Sequence, residues 1–176
     1  AVSHSGSLAN VPDAIVAAIK ELGFGGVLLL EVQTVGTVFG APVEILDDCF
    51  DAIRLATALG VIVVEAAGNG SVDLDAYTTA GGEQILNPGS ADFRDSGAII
   101  VGATSGASLD PAWFTNHGSR VDLAGWGLDV VTTGYGDLHG GHRDEYYTSG
   151  FSGTSSATPI VTGAVAAMQG IYKAHS

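Results

Sequence analysis

The chain has 176 residues, 46% hydrophobic and 14% charged, with 26 glycines; this suits one loop-rich α/β domain or part of one and excludes a disordered segment. Nineteen acidic against six basic residues give a net charge of −13, which argues against a nucleic-acid partner, and no run of 18 apolar residues suggests a membrane span. Cys49 is the only cysteine, so no internal disulfide exists; it sits in an apolar helix pattern, as a core residue rather than a nucleophile.

Residues 1–7 are expected to be extended. Asn10, Pro12 and Asp13 mark a helix start, and Val11, Ile15, Ala18, Ile19 and Leu22 keep the helical period until Gly23 stops it. Residues 27–32 read as a buried strand. Pro42 opens a helix over about residues 43–59, ended by Gly60, with Ile45, Cys49, Ile53 and Ala56 on its apolar face and Asp47, Asp48 and Asp51 on the other. Residues 61–67 form an apolar, β-branched run that ends in Gly68 and Asn69, the pattern of a buried parallel strand opening into a loop. A loop over 70–97 leads to another buried strand at 98–103, then to short strands at 121–123 and 130–131 and a helix over 160–172. The strand–helix rhythm implies right-handed crossovers and a parallel sheet, with sites at the carboxyl ends of strands, where Asn69 stands.

The last helix is introduced by Ser152-Gly153-Thr154-Ser155-Ser156-Ala157-Thr158-Pro159. A small-residue turn that delivers one hydroxyl to a helix N-terminus is a way to mount a nucleophile, because the unpaired N–H groups and the dipole favour developing negative charge. Gly153 lets a substrate backbone approach, Thr154 is a candidate N-cap, and Pro159 should bend the helix start. Taken alone, the run also fits an ordinary Ser/Thr-capped helix, and Gly68-Asn69-Gly70 alone also fits a turn.

The run resembles the serine motif of the subtilisin-like serine proteases (subtilases), Gly-Thr-Ser-x-Ala-x-Pro, at all five fixed positions. Residues 61–70 resemble the subtilase strand that ends Ala-Ala-Gly-Asn. Residues 112–127 resemble the family's Ser/Phe-Ser-Asn-x-Gly-x-x-Val-Asp-Leu-x-Ala-Pro-Gly, with Gly125-Trp126-Gly127 in place of Ala-Pro-Gly, a change expected to affect a turn and not the chemistry. Leu86-Asn87-Pro88-Gly89-Ser90 is similar to a family segment at the floor of the pocket for the residue before the scissile bond, and predicts a cis Asn87–Pro88 bond.

The resemblance implies a three-layer subtilisin-like α/β fold with a mainly parallel sheet whose N-terminal strands are missing, residues 1–176 being about the C-terminal two-thirds of a peptidase domain. It makes Ser155 the nucleophile of an acyl-enzyme mechanism. Asn69 and the Ser155 N–H become donors to the oxyanion. A protein or peptide substrate would pair with an edge at Ser5 and Gly6, face Leu30, Glu31 and Val32 across a slot, and pass Ala66, Ala67, Gly68, Pro88 and Thr154. The family's slot strand runs into Ser-Leu-Gly; here Leu30-Glu31-Val32-Gln33-Thr34 departs from it. Glu31 fits either a meeting with a basic side chain or a core-edge carboxylate.

The family's triad Asp and His motifs have no counterpart. His4 stands in His4-Ser5-Gly6, and His117, His139, His142 and His175 match no family motif; Asp122 belongs to the third match. The isolated chain is therefore expected to be inactive, its missing partner being the N-terminal segment of the same domain, with self-association through exposed sheet edges open to it. The alternative is a non-catalytic peptide-binding or interaction module on the same scaffold. An α/β-hydrolase is disfavoured because Ala157 stands where Gly-x-Ser-x-Gly needs its last glycine. No metal site is expected: His139 and His142, with Asp137 and Asp144 nearby, lack helical spacing or a third fixed ligand. No cofactor is required; the resemblance allows structural calcium, to which Asp73 and Asp75 would contribute, and implies an extracellular or cell-surface location.

Overall fold

The computed structural model describes residues 7–35 and 40–175. The strand expected over residues 1–7 falls outside them except for Ser7, and so do the slot residues Ser5 and Gly6. A 3₁₀ turn, Leu8–Asn10, leads into helix α1, Val11–Leu22. Gly23, with φ +64°, ends the helix and donates its N–H to Ile19. Strand β1 is Val27–Leu30, helix α2 Asp47–Ala58, strand β2 Ile62–Ala66 and strand β3 Ile99–Thr104. Strands β4, Leu123–Trp126, β5, Val130–Thr133, and β6, Tyr147–Phe151, precede helix α3, Thr154–His175.

The four strands β1-β2-β3-β4 lie in that order and are parallel throughout. Period-two alternation along β2 splits the core between two faces. Val63 joins Ile15, Ile53 and Ala56 of α1 and α2 on one face. Val64 joins Val101, Ala103 and Ala157, with Val161 and Val165 of α3, on the other. The architecture is the expected α/β fold in three layers, and it places the carboxyl end of β2 beside the amino end of α3.

Four local expectations are corrected. The helix expected over 43–59 is divided: a 3₁₀ turn covers Val43–Ile45, Leu46 is extended with φ −85° and ψ 125°, and α2 begins at Asp47. The break lies where the chain turns to send Glu44 into the core. The strand expected at 121–123 begins at Leu123, so Gly125-Trp126 is sheet and not turn. The Gly-rich region after β5 closes an antiparallel hairpin through β6, with Val130 opposite Phe151; Tyr147-Thr148-Ser149-Gly150 lacks the apolar alternation that would have marked it. The Asn87–Pro88 bond is trans. Ser90 N–H donates to Asn87 O at 2.8 Å, so Pro88 occupies the second position of a turn, where its fixed φ suits a trans bond.

One polar cluster crosses the apolar core. Arg120 binds Glu44 in a fork, Nε to Oε1 at 2.8 Å and Nη2 to Oε2 at 3.0 Å, and reaches Asp122 through Nη1 at 3.0 Å and the Ala98 carbonyl at 3.1 Å. Ser96 Oγ donates to Glu44 as well. Burial alone would depress the guanidinium; Glu44, Asp122 and Glu65 together carry it above its ordinary value. Glu65, on β2 and fully buried, accepts the Glu44 N–H at 3.0 Å through Oε1, while Oε2 has no partner among the described residues. Burial, and then the Glu44 charge, holds its carboxyl well above the ordinary 4.5. Cys49 is buried; desolvation, with Glu65 and Asp48 adding to it, pushes its thiol up to about 11, which leaves it an inert core group.

Glu65 therefore makes stability pH-dependent. The native state keeps a proton that the unfolded chain gives up above about pH 4.5. The contribution is full below that pH and is lost as pH rises toward the folded value. Glu65→Gln keeps the shape without titrating. Thermal unfolding followed between about pH 5 and about pH 8 is expected to show a flatter slope for this variant, which should be the more stable form at the alkaline end. Equal slopes would show that another group carries the dependence.

Candidate active site

Ser155 is the second residue of α3 and is partly exposed, between Thr154 and Ser156, which are 1% and 2% exposed. Gly153 precedes the helix with φ +134° and is pinned to the end of β4 by its N–H bond to Gly127 O at 2.9 Å. Its carbonyl accepts from Ser156 N at 3.0 Å and Ala157 N at 3.3 Å. Gly153 thus holds the N-cap position expected for Thr154, and Thr154 is the first helical residue. Its hydroxyl is drawn elsewhere: Asn69 Oδ1 accepts from Thr154 N at 2.8 Å and Thr154 Oγ1 at 2.9 Å. The Ser155 N–H remains one of the first-turn donors that the helix itself does not use. Pro159 lies inside α3 and lacks the N–H that would have bonded the Ser155 carbonyl.

Two donors accepted by one carbonyl oxygen fix the Asn69 amide plane, with Nδ2 turned away from Thr154. A carbon built on Gly153 as a Cβ would stand 3.5 Å from Asn69 Nδ2 and 3.6 Å from Ser155 N. Both donors thus border one small space at Gly153, a notch that Asn69 Oδ1 also approaches, at 3.8 Å. Gly125 of β4 lies directly beneath: a Cβ there would fall 2.5 Å from Ala157 O, whereas one on Gly127, just after β4, would fall 2.4 Å from Ala103 Cβ of β3. The replacement for Ala-Pro-Gly therefore bears on how closely the serine helix can sit.

The loop that carries Asn69 has left the sheet, and side chains from elsewhere hold it. Gln33 Oε1 accepts the Asn69 N–H at 2.9 Å. Asn116 donates to the Gly40 and Ala67 carbonyls and accepts from Gly70 and Val72. Gly68 has φ +93°, and a Cβ there would lie 1.9 Å from Gly40 O.

The other sequence-derived site residues are placed as follows. Ala66 and Ala67 are buried, and the Ala67 N–H and carbonyl are taken by Val101 O and Asn116. Leu30 ends β1 inside the core, Val32 packs against that core from its edge, and Glu31 is exposed with its carboxyl raised by desolvation. Pro88 is not brought to the notch. It lines an open hollow of about 410 Å³ with Phe93, Gly97, Ile99 and Leu123, at the amino ends of β3 and β4, whereas Asn69 follows the carboxyl end of β2. His139 Nδ1 pairs with Glu145 O at 2.9 Å and His142 lies 3.4 Å from Asp144; among the described residues no histidine bonds the Ser155 hydroxyl. Asp75 is committed to Ser119 through its N–H and hydroxyl, and Asp73 accepts the Asp75 N–H. Among the described residues, no three His, Cys, Asp or Glu side chains gather as a metal site. None of the described helices is long and apolar enough to cross a membrane.

The family model of the subtilases matches residues 32–175. The chain belongs to the subtilase family. It is 31% identical over 115 residues to the subtilisin-like serine protease Pen ch 18 of Penicillium rubens, covering 65% of this chain and 19% of that protein. It is 36% identical over 115 residues to an extracellular serine proteinase of Thermus sp. strain Rt41A, covering 65% and 23%. Among solved structures, a cold adapted subtilisin-like serine proteinase superposes with TM-score 0.64 at 23% identity, over 94% of this chain and 49% of the other. The PatG macrocyclase in complex with peptide gives 0.57 at 20%, over 90% and 39%. At these identities the structural likeness establishes the fold. The chain spans about a fifth of the curated relatives' length and about half of the first of these structures.

Two side chains that organise this subtilase's Asn69 loop were not singled out from sequence. Asn116 stands at the fixed Asn of the third matching stretch, so a signal for it existed; Gln33 lies where the chain departs from the family pattern, and nothing marked it. The geometry at Gly68 gives a direct test. Gly68→Ala should lower the stability of this subtilase by about 2–4 kcal/mol, since the added carbon meets backbone and the φ is strained for any other residue. Urea unfolding measures this, and an unchanged midpoint would mean that the loop relaxes freely around residue 68.

Proposed function

We propose that this subtilase chain carries the nucleophile and oxyanion-binding part of a serine endopeptidase. The observation that supports this reading most directly is the notch at Gly153, bordered by Asn69 Nδ2 and the Ser155 N–H. In this reading Ser155 Oγ attacks a substrate carbonyl, its proton passes to a base, and the oxygen that becomes negative settles between the two donors. The tetrahedral species collapses with release of the amine, and water then cleaves the acyl-Ser155 ester by the same route. Donors already in place spend nothing on reorganisation as the charge appears.

The base and its orienting acid are assigned to a segment of the whole protein outside residues 1–176, because no described histidine meets Ser155. The substrate is a polypeptide, which Gly153 lets approach closely, and the chemistry needs no cofactor. An extracellular location follows the relatives, one of which is named an extracellular serine proteinase. A peptide-binding module without chemistry has no use for an aligned amide donor beside a serine, and that favours the enzymatic reading.

A fluorophosphonate probe tests it. The full-length protein is expected to take up one probe mass at Ser155, and Ser155→Ala to take up none; residues 1–176 alone should stay unlabelled. Absence of label on folded full-length protein that still binds peptide would favour the binding module. Asn69→Ala should cost about 10²–10³ in kcat with KM little changed, a magnitude carried over from subtilisin itself.

A further inference from the structure

We propose that Asn116 is a positioning residue, the clamp that sets where Asn69 stands relative to Ser155. The inference rests on the reading of those two residues as the reacting pair. Asn116 is 1% exposed, and its side-chain amide is used completely. Nδ2 donates to Gly40 O and Ala67 O, each at 2.6 Å. Oδ1 accepts from Gly70 N at 3.1 Å and Val72 N at 2.9 Å. Its own N–H donates to Gly68 O at 3.1 Å. An amide offers two donor hydrogens and two acceptor lone pairs, and all four are used here.

The targets of those bonds carry the argument. β2 ends at Ala66, so none of them is a rung of the sheet. They fall on Ala67 and Gly68 just before Asn69 and on Gly70 and Val72 just after it. Asn116 therefore grips the loop on both sides of residue 69 without touching the substrate notch. Aspartate would fill the same volume but turn an oxygen toward the Gly40 and Ala67 carbonyls. Leucine would leave two buried carbonyls and two N–H groups without partners. Serine would not span the loop. Only an uncharged amide of this length satisfies all four groups.

An oxyanion donor acts through its position, and a displacement of about 1 Å in a reacting constellation costs on the order of 10²-fold. In the full-length protein, Asn116→Ala and the isosteric Asn116→Asp should each lower kcat by about 10–10²-fold with KM changed less than about threefold. The distinguishing readout is a double-mutant cycle. Once Asn69 is alanine, either change at 116 should have little further effect on kcat, because the donor it positions is gone. Hydrogen exchange supplies a readout that needs no turnover: Gly70 and Val72 amides should lose at least about tenfold protection in the Ala variant, which removes their acceptor, while Val63 and Val64 keep theirs.

A kcat unchanged in both variants, or losses at 69 and 116 that simply multiply, would overturn the proposal. So would unchanged exchange at Gly70 and Val72. If the parent protein shows neither turnover nor labelling of Ser155, the enzymatic reading fails and with it any positioning role, whereas an active parent insensitive to residue 116 sinks the clamp alone.

Discussion

A loop that leaves a parallel sheet loses the ladder that satisfied its backbone, yet the loop of Asn69 is held in one place beside α3. That constraint governs the site. Buried N–H and carbonyl groups demand partners, and residues 67–72 obtain theirs from chain segments remote in sequence. Gln33 takes the N–H of Asn69, Asn116 takes four groups around it, and Gly40 packs so closely that residue 68 must be glycine. The loop is thus held through hydrogen bonds to its backbone from remote segments.

The second half of the notch depends on the same economy. Thr154 is spent on Asn69 and not on capping its own helix. The helix start is instead secured by Gly153, held to Gly127 at the end of β4. The Ser155 N–H is therefore left over after neighbouring donors have been assigned, and Gly125 of β4 lets α3 come down onto the strand. The core cluster of Arg120, Glu44 and Glu65 ties the approach to α2 and the carboxyl end of β2 to the segment before β4, so the strand is anchored just before it releases the loop of Asn69.

Much of this was legible in the sequence. The serine run, the strand ending at Asn69 and the alternation of strands with helices fix the fold class and the pairing of residues 69 and 155, because short motifs at the ends of regular elements carry both backbone shape and chemistry. Residues whose role is defined by distant partners were not legible. Glu44 and Gln33 look like ordinary surface polar residues until the fold supplies Arg120 and Asn69. The division at Leu46, the trans bond before Pro88 and the hairpin after β5 were missed for the same reason: a turn type or a second strand depends on hydrogen bonds that periodicity does not display. Pro88 is the clearest case. Its motif resembled a pocket floor, and the chain placed it at the opposite end of the sheet.

The bonds from Thr154 to Asn69 join residues 85 positions apart. Contacts of such separation carry a large loop-closure cost, which the rest of the fold must offset. During synthesis Asn69 emerges long before Thr154 and Ser155, and a partly folded chain has both segments but not side by side. The closeness of Asn69 to Ser155 is therefore a property of the docked tertiary structure, created where α3 meets the end of β2, and neither segment holds it alone.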